Sequence, residues 1–413
     1  MSVDELIPHL FRTEYRKIVS VLSRLFGIEH IETAEDIAGD VFLLASETWG
    51  LKGVPENPVA WLYTVAKNRT RDHLRRHALF TRKIAPMLSR DASGLPQEGG
   101  NPDVEIDLSA DNIRDSQLRM MFAVCHPCIP QEAQVGLALN VLCGFGAEEI
   151  AEAFLCGKDV IYKRLSRAKE KLKHENIPIA LPTSAQINDR LETVLTTMYL
   201  LFSEGYYSTS QNIPLRKDLC VEALRLTVQL SENENTDTPE VNALISLMCF
   251  HSSRFDARID RDGDLVLYED QDTGLWNEEL ILQGMHYLNR AARGNRLSKY
   301  HLEAGIAYHH TQRGDTPEKW QGILDLYDRL LLMEYSPVAA LNRIYALARV
   351  RGKREAIMEA ESLPLGDGHL YHALMADLYK EIDDDRVLEH LYEAMARAKT
   401  PAERRLIAKK IPR

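Results

Sequence analysis

Long apolar runs are missing from this 413-residue chain. Nothing approaches the run of about eighteen apolar residues that a membrane-spanning helix needs. The start, Met1-Ser2-Val3-Asp4-Glu5-Leu6, lacks the basic opening and apolar middle of a secretory signal. No membrane segment is expected, and the cytoplasm is the expected location. Cysteine is scarce: six residues are too few for the disulfide framework of a secreted domain, and buried reduced thiols are expected. Excess positive charge is missing too. A net charge of -11 excludes a protein that coats nucleic acid over its whole surface, but it leaves room for local basic patches. No phosphate-cradling glycine loop, nucleophile–base pair or metal-ligand cluster stands out, so neither an enzyme nor a cofactor is expected. Cys125 and Cys128 are the one close pair. A redox motif needs a strand–helix context that is absent, and zinc needs two more well-spaced ligands where only Cys143 and Cys156 are near.

What is present is helical periodicity. The hydrophobic fraction of 45% and charged fraction of 27% are those of a soluble globular protein, and the length predicts roughly two to four domains. Leu6 to Phe26 reads as an amphipathic helix stopped by Gly27. Thr33 and Asp36 form a capping-box pattern, opening a helix whose inner face carries Ile37, Ala38, Val41, Leu44 and Ala45. Its other face is expected to show Glu35, Asp36, Asp40 and Phe42. Acidic residues stabilise a helix start, and Phe42 beside Asp40 also suits a partner surface.

The stretch from Asn57 to Arg76 organises the N-terminal part. Asn57 is a cap and Pro58 suits the first helical position. Trp61, Leu62, Val65 and Ala66 make an apolar first half, while Lys67, Arg69, Arg71, Arg75 and Arg76 load the second half with cations. Cations near a helix C-terminus are favoured by the macrodipole. Trp61, Tyr63 and Asn68 also suit unstacked bases, which stack on rings and hydrogen-bond to amides.

From residue 84 to 111 periodicity dissolves into an acidic, Pro- and Gly-containing linker. Helical patterns resume over Ile113 to His126, Gln131 to Leu142, Ala147 to Leu155 and Val160 to Lys173. The last two have helix-turn-helix spacing, with Gly157 in the turn. Ile150, Ala151 and Phe154 are expected to pack on Ile161, Leu165, Ala168 and Leu172. That leaves Lys158, Tyr162, Lys163, Arg164, Ser166, Arg167 and Lys169 for solvent or for DNA.

Ala34-Glu35-Asp36-Ile37-Ala38-Gly39-Asp40-Val41-Phe42, Asn57-Pro58-Val59-Ala60-Trp61-Leu62 and Ala66-Lys67-Asn68-Arg69 resemble region 2 of bacterial extracytoplasmic-function sigma factors. Ala147-Glu148-Glu149-Ile150-Ala151 and Arg164-Leu165-Ser166-Arg167-Ala168-Lys169 resemble their region 4. The resemblance implies core RNA polymerase and promoter DNA as partners. Glu35, Asp36, Asp40 and Phe42 would face the polymerase. Asn57, Trp61, Lys67, Asn68, Arg69, Arg71, Arg75 and Arg76 would engage the minus-ten element. Lys158, Tyr162, Lys163, Arg164, Arg167 and Lys169 would read the minus-thirty-five element. A helix-turn-helix regulator acting without polymerase is the alternative.

The rest resembles a branch of that family with a tetratricopeptide-like extension, through Leu201-Phe202-Ser203-Glu204-Gly205-Tyr206, Leu267-Tyr268-Glu269-Asp270-Gln271-Asp272 and Ser336-Pro337-Val338-Ala339-Ala340-Leu341-Asn342-Arg343. Ile323 with Ile357, and Leu341 with Met375, are spaced by a repeat period of roughly 34 residues. Between Asp256 and Trp276, the Asp260, Asp262, Asp264 alternation fails as a calcium loop, because Leu265 holds the glycine position and Gln271 the last glutamate position. Asp262-Gly263 instead predicts a short hairpin, and its acidic edge is a candidate docking surface. The expected fold is all-α: region 2 over 1–83, the linker over 84–111, region 4 over 112–176, and a helical regulatory or partner-binding extension over 184–413.

Overall fold

The computed structural model describes residues 3–79, 105–154, 156–207, 216–260, 266–363, 367–398 and 400–411. It is all-α: among the described residues there is no strand, only one isolated bridge at Ile259. The chain divides into two compact units, Met1–Glu152 with Cys156–Thr197, and Ala153–Leu155 with Met198–Arg413.

The first unit begins with α1 (Val3–Phe26), α2 (Ile31–Lys52) and α3 (Pro58–Leu79). Gly27 ends α1 at φ 91°, a conformation that a Cβ disfavours, and its N–H donates to Ser23 O at 2.8 Å. The α2 start differs from the capping-box expectation. Its N-cap is His30 with no side-chain bond, and Thr33 lies inside the helix. Ile28 and Ile31 on either side of that start are buried, so apolar anchoring rather than a cap sets it. The α3 start is as expected from its residues: Asn57 Oδ1 accepts the Ala60 N–H at 3.0 Å.

Ile18, Leu22, Val41, Trp49 and Leu62 from these three helices share one core, and burying such side chains contributes about 1.5–3 kcal/mol each. Ile106 and Leu108 belong to the same core. The expected linker over 84–111 is therefore too long at its C-terminal end. Residues 84–104 lie outside the described residues, but Ile106 and Leu108 anchor the chain, and α4 (Ala110–Val124) already starts at residue 110, capped by Ser109. Arg24 then ties α1 to α4 through Asp115 at 2.5 Å and Asn112 at 3.1 Å.

Next come α5 (Gln131–Leu137), continuing into a π-helical turn over Ala138–Leu142, α6 (Ala147–Ala153) and α7 (Lys158–His174). Ile161, Leu165, Ala168 and Leu172 are buried along α7, as are Ile150 and Ala151 on α6; Phe154 is only half-buried. Helix α8 (Ile187–Tyr207) begins in the first unit. There Arg190 donates to Phe122 O at 2.5 Å, and Thr197 Oγ1 donates to Gln134 Oε1 at 3.0 Å.

In the second unit α9 (Lys217–Ser231) and α10 (Pro239–Ser252) are followed by α11 (Glu278–Ala291) and α12 (Lys299–Thr311). Helix α10 is buried on nearly every side. Gly284 of α11 allows its close approach, since a Cβ there would stand 2.5 Å from the Phe250 ring. The chain continues as α13 (Pro317–Met333), α14 (Pro337–Arg351), α15 (Lys353–Ser362), α16 (His369–Tyr379), α17 (Asp384–Arg397) and α18 (Pro401–Ala408).

Four helix starts share one local device. Thr238, Thr316, Ser336 and Thr400 each precede a proline, and each side-chain oxygen accepts a first-turn N–H. Ile323, Leu341, Ile357 and Met375, the residues of the proposed period, share one core. Of the expected hairpin the described residues show only the Val266 N–H donating to Arg258 O at 2.9 Å. Asp262, Gly263, Asp264 and Leu265 lie outside them, while Phe255–Ala257, Tyr268–Asp270 and Thr273–Leu275 are 3₁₀ turns.

Candidate nucleic-acid and partner surfaces

Helix α3 turns Leu62, Ala66 and Thr70 inward. Asn68, Arg71, Arg75 and Arg76 consequently point to solvent, with Lys67 and Arg69 half-buried. Arg69 is spoken for in part by Asp40, 3.4 Å away, and Arg75 lies 3.9 Å from Asp72. Asn57 is occupied as the cap. Trp61 packs edge-on against Trp49 at 5.4 Å and is half-buried, so the indole is partly used by the core. Beneath this face Tyr63 donates to Glu14 Oε2 at 2.5 Å, and burial with that carboxylate raises the phenol pKa.

On α2 the residues expected to form a polymerase face separate. Asp36 and Asp40 are exposed. Glu35 instead receives Lys169 Nζ of α7 at 2.8 Å. Phe42 corrects the expectation, being 5% exposed. Its ring meets Phe11 edge-on at 5.2 Å and lies 6.3 Å from Tyr15, so α1 covers it. The apolar residue left outside is its neighbour Leu43, at 60% exposure, followed along the helix by Leu51 at 88%. Asp36, Asp40, Leu43, Glu47 and Leu51 recur at helical spacing on one face. The run Val41-Phe42-Leu43-Leu44-Ala45 hides this choice, because five apolar residues in a row mark no face.

Helix α7 exposes Tyr162, Lys163 and Arg167 and half-buries Arg164. Two of its cations are engaged: Lys158 pairs with Glu148 and lies 5.7 Å from the Tyr162 ring centre, and Lys169 is the partner of Glu35. Of the six α7 residues expected at a DNA surface, Lys163, Arg164 and Arg167 thus have no ion-pair partner among the described residues, and Tyr162 is exposed. An apolar groove lined by Ile129, Ala133 and Ala168 runs beside them, with Lys163, Arg167 and Lys171 also in its lining.

The cysteine pair next to this groove is chemically quiet. Burial pushes the Cys125 thiol up to about 12 and raises Cys128 as well, so neither is a thiolate nucleophile near neutrality. His126 Nδ1 accepts the Cys128 N–H at 3.1 Å and closes the turn.

Residues 10–79, which contain the α1–α3 core, match the sigma-70 region 2 family. The α1–α3 bundle is thus similar to a sigma-70 region 2 domain. Residues 190–292 match a family of unknown function, DUF6596. The chain is 32% identical over 359 residues to an uncharacterized protein of Rhizobium meliloti strain 1021, covering 86% of this chain and 83% of that protein. It belongs to the same family as that rhizobial protein. No solved structure matches. In region 2 the match takes in both the exposed α2 face and the basic turn-by-turn surface of α3. Among the described residues no helix is long and apolar enough to cross a membrane.

Proposed function

We propose that this protein is a cytoplasmic sigma factor of the extracytoplasmic-function type, which binds core RNA polymerase and directs initiation at specific promoters. The observation that carries the reading is the exposure of Asn68, Arg71, Arg75 and Arg76 on α3 inside a sigma-70 region 2. That surface suits the phosphates and splayed bases of melted minus-ten DNA. Lys67, Arg69 and Trp61 stand at its margin, half-buried.

In this reading α6 and α7 act as the region 4 helix-turn-helix, and α7 enters the minus-thirty-five major groove. Tyr162, Lys163, Arg164 and Arg167 supply the contacts. The polymerase face is the α2 stripe of Asp36, Asp40, Leu43 and Leu51, in which exposed leucines fill the role first expected of Phe42. The second unit is a regulatory or partner-binding extension with tetratricopeptide-like packing. Its acidic segment is a narrower docking edge than the sequence implies, because Glu269 bonds Tyr345 and lies 3.4 Å from Arg349, and Asp260 lies 3.9 Å from Lys409. All of these partners belong to the same unit.

In vitro transcription with purified core enzyme and genomic promoter fragments tests the proposal. Specific initiation dependent on this chain is the expected result. Duplex binding with no initiation at any promoter would instead favour a regulator acting without polymerase.

A further inference from the structure

The second unit buries two cations that have no acid in ion-pair range among the described residues. Arg254, at the C-terminal end of α10, is 7% exposed, and Lys319, in the first turn of α13, is 5% exposed. Removing a charge from water costs several kcal/mol unless a partner compensates. Neither residue has a carboxylate in ion-pair range among the described residues, and the same holds for Arg258, one turn beyond Arg254. The three cations converge on two tyrosines. Arg254 lies 5.5 Å from the Tyr268 ring centre and Lys319 lies 5.4 Å from it. Arg258 stacks on Tyr206 at 3.8 Å, whose hydroxyl is 3.4 Å from an Arg254 terminal nitrogen.

Lys319 is fully satisfied by neutral oxygens: Tyr268 Oη at 2.9 Å, Gln312 O at 2.9 Å and Gly314 O at 3.1 Å. The guanidinium of Arg254 is not. Its Nε is buried with no hydrogen-bond partner, and His310 Nδ1 in the same cluster is likewise buried and unpartnered. The His310 ring packs on Tyr268 at 4.8 Å. Burial, then Arg254 and Lys319, lower its pKa to about 3, so this imidazole stays neutral and adds no positive charge of its own. Buried polar atoms are almost always paired in folded proteins. A guanidinium with an idle edge, a second guanidinium and tyrosine hydroxyls make the donor set that recognises oxyanions. Tyr268, His310 and Arg258 are only half-buried, so the cluster has an outward side.

We propose that Arg254 and Arg258 form a binding site for a small oxyanion, a carboxylate or phosphate group of a soluble ligand, and that this ligand is what the extension senses. Lys319 and Tyr268 position the guanidiniums rather than contact the ligand.

The test uses the full chain and thermal unfolding in three buffers of equal ionic strength, containing chloride, inorganic phosphate or succinate. A bound oxyanion at a hundredfold excess over its Kd raises Tm by roughly 5 °C or more relative to chloride. The phosphate and succinate arms tell the two ligand classes apart. Arg254→Met and Arg258→Met are expected to lose that rise. Arg254→Met carries a sign that a packing role cannot reproduce: without the unpaired buried charge its Tm in chloride equals or exceeds that of the wild type, and in the active oxyanion it falls below it. If Arg254→Met does not fold, Arg258→Met, at the half-buried side, supplies the same readout. Equal Tm of the wild type in all three buffers overturns the site. So does a rise that both variants retain, because it would report binding elsewhere.

Discussion

Lys169 Nζ of α7 lies 2.8 Å from Glu35 Oε1 of α2, with the two side chains 17% and 23% exposed. One residue was expected to touch promoter DNA and the other to touch polymerase, yet in this structure each neutralises the other. Screening by solvent is limited at that exposure, so the pair exceeds the few tenths of a kcal/mol typical of a surface bridge. Lys169→Ala and Glu35→Ala are each expected to destabilise the first unit by about 1–2 kcal/mol. The double variant should cost no more than either single one in urea unfolding. Full additivity would mean that the pair contributes nothing.

The α7 cations without carboxylate partners among the described residues should divide from the paired ones. Arg167→Ala and Lys163→Ala are expected to weaken binding to a minus-thirty-five duplex and to lower the salt slope by about 1 each, as lost phosphate contacts do. A change in sequence preference at constant slope would instead mark a base-reading residue. Unchanged affinity and slope in both variants would remove them from the interface.

Phe42 and Leu43 are adjacent and should behave oppositely. Phe42→Ala empties a core position and should cost about 3–5 kcal/mol of stability. Leu43→Asp lies on an open face and should change stability by less than about 0.5 kcal/mol, while weakening association with core polymerase by tenfold or more. Titration of core enzyme with labelled protein, beside urea midpoints for both variants, checks the contrast. Normal polymerase affinity of Leu43→Asp would empty the α2 stripe of its proposed role.

A cut in the chain should succeed or fail according to α8. Truncation after Thr183 removes Arg190 and Thr197, and with them the bonds to Phe122 and Gln134. Truncation after Tyr207 keeps both. The shorter piece is expected to unfold at a Tm several degrees lower, so any loss of transcription in it reports damage to the first unit. The longer piece is the one whose activity, compared with full-length protein, gives the sign of regulation by the extension.

Glu303 makes one part of the stability pH-dependent. Burial, opposed by the Tyr199 hydroxyl 3.3 Å away, raises its carboxyl from 4.5 to about 7. The folded state therefore holds a proton that the unfolded chain has already released, and stability falls as pH rises from about 4.5 through about 7. The integrated effect is on the order of 3 kcal/mol. Glu303→Gln should abolish this part of the slope and be the more stable protein at pH 8. Parallel stability–pH curves for the two proteins would show that Glu303 ionises normally.

What could be read from residues alone follows their range of interaction. The Asn57 cap and the Gly27 stop were legible because each is decided within four residues. The basic face of α3 was legible for the same reason: Leu62 and Ala66 fix which side turns inward. Phe42 was not, since Phe11 and Tyr15 cover it from another helix. Ile106 and Leu108 were hidden by the acidic residues around them, and nothing local reveals that they return to the α1–α3 core. That no described carboxylate stands in ion-pair range of Arg254 was equally invisible, because its neighbours Tyr206, Tyr268 and His310 come from three separate segments.

The place of Thr197 also bears on how the protein is made. Gln134 waits for its Thr197 partner until that residue has been added and has cleared the ribosome. At roughly 5–20 residues per second, the stretch from Thr183 to Thr197 takes on the order of one second to synthesise. During that interval a nascent first unit has all of α1–α7 but lacks part of its own interior. Its folding thus finishes only after translation of the extension has begun, which couples the two halves in time.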